Sequence, residues 1–265
     1  MNKKLDFILT GFQKCSTSSF MYTLNESYYD TVNCMEHKVP EGFASQHLHC
    51  RFEVDYFRDI LYNKGYCNQE WYNSLLSSDK INVDRSHNIL WSSSFSIPKI
   101  YESYPNVKLI FIIRNPIDRA WSAWNHIYNL KKSEVDHFIH AKPFLQNRTS
   151  FIDAFFSNPI ILDAQGQYAK HIKKCLEYFS KEQIFVAIQE NFLYRNTSQQ
   201  EWNRVIEYMG LEQKKIPHKM WNVISYKVGN MNIEDRQQLK EYYEPSVKEL
   251  EDLLNHKIDQ WKDFK

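Results

Sequence analysis

Short apolar runs alternate along this chain with longer stretches of helical period. Phe7-Ile8-Leu9, Thr31 to Met35, Ile81 to Val83, Lys108 to Ile113 and Gln183 to Ile188 read as strands. The runs at Phe7 and Lys108 are apolar on successive residues, as in strands covered on both faces. Between them, Thr17 to Asn25, Trp71 to Leu76 and the stretch from Pro116 read as helices. Gly166 to Phe179 adds an amphipathic helix that turns Tyr168, Ile172, Leu176 and Phe179 inward. Alternating strand and helix predicts an α/β fold, a parallel sheet flanked by helices with ligands at the carboxyl ends of the strands. Ser86 to Ser96 is polar, with Trp91 and Phe95 embedded, and reads as lining for an acceptor cleft. Leu130 to Ser150 lacks a period and reads as a mobile connection near the site mouth. No Pro- or Gly-rich linker interrupts the pattern, so residues 1–265 are expected to form a single domain.

The first candidate chemistry lies in Asp6 to Phe20, DFILTGFQKCSTSSF, a strand ending in a glycine turn that passes into a helix. Gly11 permits the turn; Lys14 then meets Cys15-Ser16-Thr17-Ser18-Ser19. Backbone N–H groups at a helix start, with several hydroxyls around them, suit a phosphate or sulfate oxygen. The spacing is Gly-x-x-Lys-x-x-Thr. It differs from the Gly-x-x-x-x-Gly-Lys-Ser/Thr loop that holds a magnesium-bound nucleoside triphosphate, so the expected sheet is P-loop-like without that signature.

A second strand, KLIFII, runs into RNPIDRAWSAWNHIYNL. Arg114 stands at the strand end, and Arg119, Ser122 and His126 share one helical face at i, i+3 and i+7. Two arginines and a serine beside a helix start make a second anion site.

GFQKCSTSS followed about a hundred residues later by RNPIDRAWSAWNH resembles the two nucleotide-binding signatures of sulfotransferases that use 3′-phosphoadenosine 5′-phosphosulfate (PAPS). The similarity is greatest to the branch containing the heparan sulfate N- and O-sulfotransferases. The resemblance implies that Gln13, Lys14, Cys15, Ser16, Thr17 and Ser18 hold the 5′-phosphosulfate, and Arg114 and Ser122 the 3′-phosphate. It extends to FEVDYFRDILYNKGYCNQEWYNSLL, where the family's glutamate maps onto Glu53, and to the C-terminal helices in MNIEDRQQLKEYYEPSVKELEDLL. It implies catalytic roles for Lys14, at the leaving oxygen, and for Glu53 and His126, as proton acceptors. Asp55 and Arg85 are the implied acceptor-side residues, and Lys227 and Gly229 sit where the family closes a basic segment over the nucleotide. The sequence departs from the family at Ser16, usually glycine, at Phe52, usually lysine, and at VDRSHNIL, where Arg85 keeps a lysine's charge.

Charge changes the expected acceptor. With 33 basic and 32 acidic side chains the formal charge is +1, which disfavours nucleic acid or an anionic membrane as the main partner. A long anionic glycan would want a basic groove, whereas this chain carries seven Trp, 17 Tyr and 17 Phe. A small-molecule acceptor is expected ahead of a saccharide; hydroxyl and amine nucleophiles both stay open, as does the oligomeric state.

Five cysteines without metal-site spacing predict free thiols, and no 18-residue apolar run or signal peptide is present, so a soluble, cytoplasmic protein is expected. His47-x-His49-Cys50 lacks a fourth ligand, and no metal is assigned. Two rival readings remain: a P-loop-type kinase or nucleotidase, and a non-catalytic nucleotide-binding protein with the sulfotransferase fold.

Overall fold

The computed structural model describes residues 3–36, 38, 52, 54, 56–59, 68–87, 90, 93–128, 150–157, 163–193, 198–216 and 230–265. In chain order the elements are β1 (Phe7–Gly11), α1 (Thr17–Tyr28), β2 (Val32–Cys34), α2 (Tyr56–Asp59), α3 (Gln69–Ser74), β3 (Ile81–Arg85), α4 (Ser93–Ser103), β4 (Lys108–Ile113) and α5 (Pro116–Tyr128). There follow α6 (Phe151–Ser157), α7 (Tyr168–Leu176), β5 (Ile184–Ile188), α8 (Gln189–Leu193), α9 (Ser198–Tyr208) and α10 (Ile233–Leu254). Contacts group the chain into two compact units, residues 1–113 with 173–222, and residues 114–172 with 223–265.

The first unit holds the sheet. Its five strands run parallel in the order β2-β3-β1-β4-β5, with Phe7 opposite Val83 on one side and Lys108 on the other. The fold class is the α/β one that the alternation predicts. Every residue of β1 is buried, as are all but the first of β4, which is why both read as unbroken apolar runs. Helix α1 sinks Phe20, Met21 and Leu24 into the core, where the Phe20 ring lies 5.1 Å from that of Trp202 on α9. At the β5 edge, Tyr208 packs 4.9 Å from Phe185, and the Lys108 ammonium lies 5.0 Å over the Tyr208 ring. Cys15, Cys34 and Cys175 are buried free thiols.

Part of the stretch read as a polar cleft lining is helical. Helix α4 starts at Ser93, and Phe95 is exposed on it. Its serines and Pro98 have poor helix propensity, which burial of Ile97 and Ile100 outweighs. The helix expected from Gly166 begins as a short 3-10 turn at Ala164–Gly166; α7 then ends at Leu176, which is half-buried while Cys175 is fully buried.

The second unit is helical. Pro116 opens α5 as expected, with the Asn115 side-chain oxygen accepting from the Ile117 N–H at 3.0 Å. Phe151 of α6 packs edge-on against Trp121 at 5.0 Å. The expected C-terminal helices are one 22-residue helix, α10, that continues through Pro245. Arg236 on it donates to Asp118 at 2.9 Å and to Asp263 at 2.7 Å.

His171, also here, is buried with its Nε2 2.7 Å from the Ala164 carbonyl oxygen. Desolvation pushes its pKa below the ordinary histidine value; the hydrogen bond opposes this, and the charges of Lys170 and Arg119 add to it. An unfolded chain therefore takes up this proton first as pH falls. The neutral ring's contribution is complete above about pH 6.5 and is lost on acidification below it. Thermal unfolding between pH 7.5 and 5.5 should show wild type losing more stability than His171→Gln, by at most about 1.4 kcal/mol per pH unit. Parallel pH profiles would exclude His171 as the source.

Candidate functional site

The loop from β1 into α1 has an unusual backbone. Of the three described non-glycine residues with positive φ, two are here, Lys14 at 67° and Ser16 at 61°. Left-handed backbone costs an L-residue roughly 1–2 kcal/mol, and such outliers concentrate at binding sites. Gly11 serves a different purpose from the expected turn. It ends β1, and a Cβ there would lie 2.7 Å from Leu90 Cδ1, so glycine allows a close approach.

Burial alternates along the loop. Cys15 and Thr17 are buried, while Gln13, Lys14, Ser16 and Ser18 are half-buried. Ser16, the N-cap of α1, makes no side-chain capping bond, and the first turn carries no acidic residue. The positive end of a 12-residue helix thus sits beside Lys14 and three hydroxyls, an arrangement that attracts a tetrahedral oxyanion.

Two further strand ends meet this loop. Arg85, the last residue of β3, is buried, and its Nη1 donates to Ser18 Oγ at 2.5 Å. Arg85, expected on the acceptor side, is thus bonded to the Lys14–Ser18 loop. Beside it, the buried Asp84 carboxylate accepts from Tyr72 Oη and Ser86 Oγ, both at 2.8 Å. Burial, then the neighbouring Asp84 charge, push the Tyr72 phenol well above its ordinary pKa. From the end of β5, the buried Gln189 donates through Nε2 to Ser16 Oγ. Sequence reasoning passed over Asp84 and Gln189. Their one legible signal was position, at or just beyond the end of an apolar strand of a parallel sheet.

In the second unit, Arg114 follows β4 half-buried, with its carbonyl accepting from Tyr168 Oη at 2.7 Å. Ser122 and His126 on α5 are half-buried. Arg119 is not accessible with them: it is fully buried, and its charge bears on Tyr243 and His171. The expected stripe exists by periodicity, but its first member is a core cation, so the anion reading here keeps Arg114 and Ser122 alone.

Glu53, Asp55, Lys227 and Gly229 lie outside the described residues, as do Trp91, His47, His49, Cys50 and most of the Leu130 to Ser150 connection. Among the described residues no group of three His, Cys, Asp or Glu could hold a metal ion, and no helix is long and apolar enough to cross a membrane. A cavity of about 460 Å³ runs along β2, lined by Asn25, Tyr29, Glu36, Lys38, Trp71 and Lys80 among others. It includes no residue of the Lys14 loop.

The family model described as "Sulfotransferase domain" matches residues 6–261. A bifunctional heparan sulfate N-deacetylase/N-sulfotransferase 1 from Caenorhabditis briggsae is 26% identical over 135 residues, 50% of this chain and only 15% of that protein's length. A sulfotransferase crystal structure from Alicyclobacillus acidocaldarius aligns over 98% of this chain and 99% of its own, with a TM-score of 0.66 and 21% identity. A sulfotransferase domain from the curacin biosynthetic pathway aligns over 80% and 75%, with a TM-score of 0.50 and 14% identity. At those identities the structural likeness is one of fold.

Proposed function

The chain belongs to the sulfotransferase domain family, and from that premise we propose that it moves a sulfuryl group from PAPS to a hydroxyl or amine of a small-molecule acceptor. The observation that carries this reading is the Lys14–Ser16 loop, with two left-handed residues held at the start of α1. PAPS supplies the sulfuryl group and leaves as adenosine 3′,5′-bisphosphate. The sulfur–oxygen bond to the phosphate breaks, a bond from sulfur to the acceptor forms, and the acceptor's proton passes to a protein base. Such a transfer needs in-line geometry and charge stabilisation more than covalent help.

In this proposal, backbone N–H groups from Gln13 to Ser18 and the hydroxyls of Ser16, Thr17 and Ser18 bind the phosphosulfate. Lys14 neutralises charge growing on the leaving oxygen. Arg85, fixed to Ser18, adds a positive charge to that loop. Arg114 and Ser122 are assigned the 3′-phosphate, Lys227 and Gly229 a covering segment, and Asp55 an acceptor contact. Glu53 takes the acceptor's proton, with His126 orienting the acceptor or taking that role for an amine. Residues 1–265 act as one sulfotransferase domain. A formal charge of +1 and the many aromatic side chains favour a compact acceptor over a polyanionic glycan. Three buried free thiols suit a reducing, cytoplasmic setting.

Sulfate transfer from labelled PAPS across a panel of acceptors, read by mass spectrometry, tests the activity. Binding has its own expectation. Adenosine 3′,5′-bisphosphate at a hundred times its dissociation constant should stabilise the fold by about 2.7 kcal/mol. A larger rise in melting temperature with ATP and magnesium would shift the assignment to a kinase or nucleotidase. Bisphosphate binding without transfer to any acceptor would leave a non-catalytic binding protein.

A further inference from the structure

Gln189 is the first residue beyond β5, on the five-residue helix α8, and it is only 5% exposed. Its Nε2 donates to Ser16 Oγ, a partner 173 positions earlier in the chain. The other end of its amide, Oε1, is buried with no hydrogen-bond partner among the described residues, so the bond to Ser16 is what orients the side chain. The backbone on either side of Gln189 is itself fixed. The buried carboxylate of Glu201 on α9 accepts from the Ile188 N–H at 3.1 Å, from Asn191 Nδ2 at 3.2 Å and from Arg204 Nη1 at 2.7 Å.

Ser16 has reason to need such an anchor. At φ 61° it holds a conformation that glycine adopts freely and a side chain resists, and its hydroxyl is not used to cap α1. We propose that Gln189 is a positioning residue, which holds Ser16 in the left-handed conformation and so sets the shape of the Lys14–Thr17 loop for its anion. The bond from Gln189 supplies in this chain the backbone control that a glycine would supply by lacking a side chain. The role at the loop rests on the donor-site reading above; the mechanical link between Gln189 and Ser16 does not.

Amide hydrogen exchange over Phe12–Ser19 and calorimetric binding of adenosine 3′,5′-bisphosphate test the two parts separately. Gln189→Met keeps the buried volume and removes the donor; Ser16→Ala keeps the Cβ and removes the acceptor. Each should speed exchange in this segment; Gln189→Met should weaken the bisphosphate by about five- to tenfold, the worth of one net hydrogen bond, and Ser16→Ala by more, because it also removes a hydroxyl assigned to the anion, with the double variant no worse than Ser16→Ala. In a Ser16→Gly background, Gln189→Met should cost less than about twofold, because the acceptor hydroxyl is already gone and glycine takes the conformation unaided. Unchanged exchange in both single variants overturns the proposal, as does an equal cost of Gln189→Met in the Ser16 and Ser16→Gly backgrounds. If Gln189→Met does not fold, Ser16→Ala alone decides by the same exchange readout. Faster exchange with no bisphosphate binding by wild type would keep Gln189 as the loop's anchor and remove the donor reading.

Discussion

Lys14→Ala is expected to lower turnover about a hundred- to a thousandfold, the range found when one donor to a developing oxyanion is removed. The affinity for adenosine 3′,5′-bisphosphate should fall much less. In the proposed site the start of helix α1 and the surrounding hydroxyls are assigned the ground-state charge of a bound phosphosulfate, whereas the Lys14 ammonium is assigned to charge that appears on the leaving oxygen only as the bond to sulfur breaks. Alanine retains the Cβ, so the strained backbone at φ 67° is neither relieved nor worsened, and the loss can be read as the loss of the charge. Single-turnover rates with PAPS, set beside calorimetric affinities, separate the two quantities. An unchanged turnover number would remove Lys14 from catalysis.

Glu53→Gln should have an effect at least as large, about a hundredfold or more, with PAPS binding intact. A positioned general base contributes roughly 10² to 10⁴ in rate, and glutamine keeps the shape while losing the basicity. A carboxylate does this work near neutral pH when its surroundings raise its pKa, so turnover against pH should lose its acidic limb in the variant. His126→Ala should cost less, unless the acceptor is an amine. Near-normal turnover in Glu53→Gln together with none in His126→Ala would reverse the two roles and reduce the FEVDYF resemblance to a structural one.

What the sequence disclosed follows from what kind of information each feature needs. Strand β4 spans Lys108–Ile113, as its apolar run implies, because a strand buried on both faces writes its burial into consecutive residues. The loop from β1 into α1 was legible because a strand, a lysine and a run of hydroxyls are neighbours in the chain. Helix α4 was not, since serines and Pro98 describe local preference while Ile97 and Ile100 are decided by packing. Arg119 shows a similar limit: helical period places it on a stripe with Ser122 and His126, but only packing determines that it sinks beside Tyr243. The contacts of Arg85 with Ser18 and of Gln189 with Ser16 join residues 67 and 173 positions apart, beyond the reach of any local pattern.

The strand order also bears on how the chain is made. Strand β1 lies between β3 and β4, both synthesised well after it, and the Ser16 anchor comes from beyond β5. On a ribosome adding about 5–20 residues per second, roughly 9–35 s separate the emergence of Ser16 from that of Gln189. During that interval the nascent chain carries the whole signature from Gly11 to Ser18 with neither neighbouring strand of β1 complete at first and no anchor for Ser16. A ribosome-stalled chain ending before Gln189 would thus contain the entire loop sequence and still lack the Gln189 bond proposed to orient it.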